Sequence, residues 1–179
     1  NPATGADSYS VLYDTDGPVS LALASTTVSY PEGGLLPNTL YSRKVQATNL
    51  WGSTNSGIVS ETTLASVPSG LTGLAPSSTT VSLSWTAGDA SRYQVETATD
   101  IGGVWSTTAT VLSPGTTHQA AGLNPDTKYW YRLKALNSAL AVNLTPSTTA
   151  LVVTRPGAPT GFAGVIQSTG SIAWSWTDT

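Results

Sequence analysis

One histidine, ten carboxylates and no cysteine are what this chain offers for proton transfer, nucleophilic attack or metal binding. His118 is its single side chain with an ordinary pKa near neutrality. A base of that kind needs a nucleophile within hydrogen-bond reach and a third group to orient it. There is no Gly-x-Ser-x-Gly elbow, no second histidine and no thiol to form such a pair. His118 therefore reads as a side chain packed at the edge of a β-structure. Asp14-Thr15-Asp16-Gly17 opens like a calcium loop, but the glutamate such loops carry at position 12 is Ser25 here. A hairpin turn is expected instead. The other acids are scattered, whereas a glycosidase needs two held across a cleft. No catalytic residue, cofactor or metal is assigned.

The elements that would position any site are short strands. Charged residues make up 9% of the chain, while Thr, Ser, Val and Tyr are abundant. The net charge is −3 with only seven basic residues, which argues against nucleic acid and anionic membrane as partners. No apolar run reaches the roughly 18 residues of a membrane-spanning helix. Without methionine or a signal-like start, the chain reads as an excised piece of something longer.

Leu35-Leu36-Pro37-Asn38-Thr39-Leu40-Tyr41 and Leu123-Asn124-Pro125-Asp126-Thr127-Lys128-Tyr129 share the pattern Leu-x-Pro-x-Thr-x-Tyr. Their tyrosines lie 88 residues apart, one small β-sandwich. Between residues 67 and 154, Val81, Leu83 and Trp85 alternate with polar residues, and Tyr93 and Val95 open a further strand after Gly88-Asp89. Strands are also expected over the Thr-rich segment 106–111, over Thr117–Leu123 and over Tyr129–Ala135, with Leu151 and Val153 closing the unit. Seven short strands with turns about every ten residues describe an all-β sandwich.

Pro68, Trp85, Tyr93-x-Val95 and Leu123 to Tyr129, running on to Tyr131, Leu133, Ala135 and Asn137, resemble the fibronectin type III domain. The resemblance implies tandem, immunoglobulin-like seven-stranded sandwiches. It also implies that Tyr41 and Tyr129 form tyrosine corners bonded to nearby backbone. Residues 67–154 form a complete repeat of this pattern. Residues 1–66 resemble only its later part, with Tyr9-x-Val11, a strand at Val28 and Tyr30, the corner, and a last strand at Ile58–Thr63. Residues 155–179 resemble its first two strands, since Pro159, Gly161, Phe162, Gly164, Ile172, Trp174 and Trp176 match Pro68, Gly70, Leu71, Gly73, Val81, Leu83 and Trp85 at an offset of 91. First and last repeats are thus expected to be incomplete. Joined on paper, 176–179 followed by 1–5 makes a plausible loop between the second and third strands. The expected core residues are Trp85, Trp176, Tyr41, Tyr129, Leu35 and Leu123.

A buried tryptophan removes about 150–250 Å² from water, worth up to about 4–6 kcal/mol. Each incomplete unit therefore needs a covering partner, and residues 156–179 of one molecule are expected to complete 1–66 of another; disordered ends are the alternative.

Candidate ligand or protein contacts are Trp51, Trp130, Leu140 and Val142. In the resembled family the loop holding Trp51 often carries recognition, although packing onto its own loop or a neighbouring repeat is the plainer expectation. Trp130 faces outward beside Arg132 and Lys134 and is expected to stack with them. Arg43 falls on inward parity, and is expected to snorkel past the sandwich edge or pair with a group on the absent strands. Asn143-Leu144-Thr145 is a glycosylation sequon given no role, since the composition looks bacterial. The resemblance implies a non-catalytic spacer or adhesion segment of a secreted or cell-surface protein, joined to other domains by short proline-bearing linkers. A carbohydrate- or protein-recognition module, or an accessory region of a carbohydrate-active enzyme, is the alternative.

Overall fold

The computed structural model describes residues 5–178, and among these there is no helix. Five strands come first: β1 (Ser8–Tyr13), β2 (Leu23–Ala24), β3 (Leu40–Asn49), β4 (Gly52–Asn55) and β5 (Val59–Thr62). They form one antiparallel sheet in the order β2-β1-β3-β4, with β5 also paired to β3. The expected loop joining 176–179 to 1–5 falls partly on residues 1–4 and 179, outside the described residues.

The middle unit has seven strands: β6 (Ser69–Leu74), β7 (Thr80–Thr86), β8 (Arg92–Ala98), β9 (Ser106–Leu112), β10 (Thr117–Ala121), β11 (Lys128–Leu136) and β12 (Ala150–Val153). A three-stranded sheet, β10-β7-β6, faces a four-stranded sheet, β12-β11-β8-β9. Period-two sequence makes the sandwich, because alternate side chains point to one face of each strand. On β7, Val81, Leu83 and Trp85 are buried, and on β11 so are Tyr129, Tyr131, Leu133 and Ala135. The Trp85 ring meets Tyr93 edge-on at 5.5 Å between centroids, an arrangement favoured by the ring quadrupoles. Leu123 packs against this core from the side.

The strand expected to close the unit is β12, and one other expectation about strands needs correction. On β12 the inward residue is Val152, and Leu151 and Val153 face outward. Register decides this: Val152 pairs with Tyr129, whose ring points into the core, and cross-strand partners share a face. The residues around Val28 and Tyr30, expected as a strand, are not one. Their counterpart β10 pairs with β7, and residues 5–66 contain no counterpart of β7, so the segment has no ladder to join.

The last two strands, β13 (Thr160–Ser168) and β14 (Ser171–Thr177), form an isolated hairpin with every residue exposed. Trp176, expected in a core, is 61% exposed because no sheet packs on this hairpin. For the same reason Leu35 and Tyr41 are only half-buried.

Candidate functional site

Both repeated motifs form the expected tyrosine corner. The Tyr41 hydroxyl accepts a hydrogen bond from Leu36 N at 2.8 Å, and the Tyr129 hydroxyl one from Asn124 N at 2.9 Å. In each motif the residue after proline is left-handed, with φ of 45° at Asn38 and 46° at Asp126. Asn and Asp are the non-glycine residues that tolerate this conformation best. The corner thereby projects the Asn38 side chain out of the first unit.

That side chain lands on the middle unit. Asn38 Nδ2 donates to the Asp89 carbonyl, and Asn38 Oδ1 accepts from Ser138 N at 2.6 Å. The Asp89 carboxylate reaches back to the linker, accepting from Ser66 N at 2.8 Å and from Ser66 Oγ. Asn137 is 0% exposed. Its Nδ2 donates to the carbonyls of Thr62 and Thr63, both at 3.0 Å, while its Oδ1 accepts from Ala141 N at 2.8 Å. Asn143 Nδ2 donates to the Ala65 carbonyl at 2.8 Å, and Ala65 itself is part of the middle unit's core. The side-chain amide of the sequon is thus engaged in the junction. Together these side chains clamp the end of β5 and the linker onto two loops of the middle unit. The short linker is pinned along its length, a stronger restraint than proline stiffness alone.

The outer face of the four-stranded sheet carries a second polar group. Buried Glu96 accepts from Arg132 Nε at 2.6 Å and from Lys134 Nζ at 2.9 Å. Burial pushes its carboxyl up, but the bonds from Lys134 and Arg132 outweigh this and hold it below the usual range. Arg132 stacks on Trp105 at 4.2 Å, not on Trp130 as expected. Sequence parity put Trp130 beside Arg132, yet neither is held to the other by the strand they share; Trp105 arrives from the loop before β9. Replacing Glu96 by alanine strands two cations on this face. The expected loss is about 3 kcal/mol, the lower end for a broken buried pair because both cations keep partial access to water. Urea unfolding of Glu96→Ala, with Glu96→Gln alongside, measures it.

Arg43 is likewise paired within its own unit. It makes a two-pronged bond to Glu32, with Nε–Oε2 at 2.9 Å and NH2–Oε1 at 2.6 Å. Its guanidinium also lies over the rings of Tyr13 at 4.7 Å and Tyr41 at 5.1 Å. The expectation that it snorkels or awaits an absent strand is corrected: Glu32 neutralises it where it stands. The hydrogen bond from Arg43 is the main reason the Glu32 carboxyl lies low.

His118 sits half-buried on β10 in a cleft of about 250 Å³ with Thr97, Thr108 and Tyr131. Burial pushes its pKa below the ordinary value and pushes the Tyr131 phenol up. The imidazole is therefore neutral and the phenol protonated at pH 7, so the cleft holds no charge and no activated nucleophile. Stability follows the same titration. The unfolded state takes up a proton at His118 near pH 6.5, whereas the folded state does so only lower, so stability falls as pH drops from about 7 toward 5. In His118→Gln this part of the slope vanishes, measured as the urea midpoint against pH.

The remaining candidates are dispersed. Trp51 lies in the tight turn between β3 and β4 and is 91% exposed, correcting the expectation that it packs. Trp130 is half-buried. Leu140 is exposed with φ of 66°, and Val142 forms a bridge to Leu136. Asp14-Thr15-Asp16-Gly17 closes a hairpin, with Tyr13 N bonded to Gly17 O at 2.8 Å and Asp16 paired to Lys44. Among the described residues no group of three His, Cys, Asp or Glu side chains could hold a metal ion. No helix among them is long and apolar enough to cross a membrane.

A two-sheet antiparallel sandwich with a tyrosine corner, clamped to a single sheet that carries the same corner, defines a β-sandwich module. The family model "Fibronectin type III domain" matches residues 66–150. A similar solved structure is a Fn3-like protein from Clostridium thermocellum, 30% identical over 49% of this chain and 90% of that one, with a TM-score of 0.44. A two-domain fibronectin type III segment from chicken tenascin is 16% identical, covers 87% of each chain and has a TM-score of 0.48. No curated protein matches. Residues 66–150 belong to the fibronectin type III family, whose members are typically structural or adhesion modules of larger proteins.

Proposed function

We propose that this chain is a non-catalytic spacer of a larger extracellular or cell-surface protein, and that it works by holding neighbouring segments at a fixed distance and angle. The junction carries this reading. The amide and carboxylate contacts of Asn38, Asp89, Asn137 and Asn143 between successive repeats are more than a passive linker needs, and they fix orientation as well as distance. The lack of cysteine makes a clean test simple. Dyes at Thr54→Cys and Ile101→Cys, both exposed, report the distance across the two units by single-molecule energy transfer. A narrow distribution that broadens in Asn38→Ala/Asn137→Ala supports the spacer. A distribution already broad in the parent chain contradicts it.

A second reading rests on Trp51. An indole this exposed at a hairpin tip can stack on a sugar ring or a protein side chain. A glycan array bound by the parent chain and not by Trp51→Ala would favour a recognition module over a pure spacer.

A further inference from the structure

The outer face of the four-stranded sheet is set by the same alternation that fills the core. Tyr93 and Val95 on β8, and Tyr129, Tyr131 and Leu133 on β11, point inward and are buried. Their neighbours Arg92, Lys128, Arg132 and Lys134 therefore point outward. These are four of the chain's seven basic residues. The four strands of this sheet carry one carboxylate, Glu96, so three positive charges on the face are left unbalanced. Asp100 and Asp126 lie off the strands, where β8 ends and β11 begins, and bound the positive stretch at that end. The middle unit has both its sheets, so this face is the outside of a finished sandwich.

Two of the four cations are held and two are free. Glu96 fixes Arg132 at 2.6 Å and Lys134 at 2.9 Å, and Arg132 stacks on Trp105. The side chains of Arg92 and Lys128 make no hydrogen bond or ion pair among the described residues. Beside these cations stand two half-buried indoles, Trp105 in the loop before β9 and Trp130 between Lys128 and Arg132 on β11. The face thus combines fixed and free positive charge with aromatic surface that water still reaches.

We propose that this face binds an acidic polysaccharide, its carboxylate or sulfate groups on the four cations and its sugar rings against Trp105 and Trp130. The cations do not converge on one point. Lys128 and Arg132 are about 13 Å apart along β11, and Lys134 is about 7 Å further on. The ligand is therefore a polymer with repeated charges and not a single small anion. A nucleic-acid strand carries a charge about every 3.4 Å, more densely than these cations can match. A glycan in which acidic and neutral sugars alternate is charged more sparsely. An acidic peptide docking in extended form would use the unpaired backbone of a strand edge, whereas this face offers side chains alone. The chain as a whole is net −3, so the surface away from this face is acidic. A broad anionic membrane would meet that repulsion, but a single polymer strand lying within a Debye length of the face, about 8 Å, would not. The site is separate from Trp51 and does not depend on what that residue binds.

Calorimetric titration at low salt tests this, with hyaluronan, polygalacturonate and chondroitin sulfate as probes and dextran, polyglutamate and a single-stranded oligothymidylate for comparison. At least one acidic glycan should bind and neutral dextran should not. Binding should vanish at about 1 M salt, where the Debye length is about 3 Å. Arg92→Gln/Lys128→Gln should weaken it by about fivefold or more, because two charge contacts are lost. Neither side chain has a partner to lose, so this variant should keep the parent's urea midpoint. Thr54→Glu/Gln119→Glu makes the same change in net charge at exposed positions on other surfaces and should bind as the parent does. No binding to any of the three acidic glycans, an equal loss in the two double variants, or dextran, polyglutamate or oligothymidylate bound as tightly as the glycan would each overturn the proposal.

Discussion

Trp85→Ala should cost the middle unit about 3–5 kcal/mol, the range for truncating a buried aromatic. The indole is 6% exposed, joins the two sheets, and contacts Tyr93 edge-on. For a domain of this size 1 kcal/mol moves the midpoint by about 4–8 °C, so calorimetry should show a fall of about 12–40 °C. Trp85→Phe separates packing from hydrogen bonding. Trp85 Nε1 makes no hydrogen bond among the described residues, so the phenyl ring should recover most of the loss. A midpoint unchanged in Trp85→Ala would mean that the indole does not fill the core.

Asn137→Ala has an expected effect next in size, equal to that of Glu96→Ala, and a different signature. Three hydrogen bonds end on this side chain, two of them from outside its own unit. Leaving buried partners unsatisfied costs about 1–3 kcal/mol each, and a total of about 3 kcal/mol is expected because some of those groups regain water. Asn137→Asp is nearly isosteric but turns an acceptor toward the two carbonyls of Thr62 and Thr63. It should be at least as damaging as alanine at neutral pH. Chemical-shift changes are expected at both Ala141 and Thr62–Ala65, linking the loop of one unit to the end of the other. An Asn137→Asp variant as stable as the parent would show that the amide does not make these bonds.

The parts of this structure that depend on near neighbours could be read from residue order. Alternation placed Val81, Leu83 and Trp85 inside, and Leu-x-Pro-x-Thr-x-Tyr located both corners. The parts that depend on register or on distant loops could not. Whether Leu151 or Val152 faces inward is set by the ladder to β11, and a one-residue slip reverses every side chain. The strand expected at Val28 and Tyr30 had the right composition but no partner. Arg43 finds Glu32 and Arg132 finds Trp105 across the fold, where spacing along the chain says nothing. The junction was the largest omission. Asn38, Asp89, Asn137 and Asn143 are ordinary turn residues one by one, and only the meeting of loops up to 100 residues apart gives them a common task. A faint signal existed: the left-handed position after proline carries Asn38 in one corner and Asp126 in the other, both able to project a polar group from the end of a repeat.

A spacer of this kind works only if that junction is rigid. Residual dipolar couplings of backbone amides in a dilute, weakly aligned sample measure it directly. Couplings from residues 8–62 and from 69–153 should fit one alignment tensor in the parent chain and two in Asn38→Ala/Asn137→Ala. Two tensors of different magnitude in the parent chain itself would contradict it.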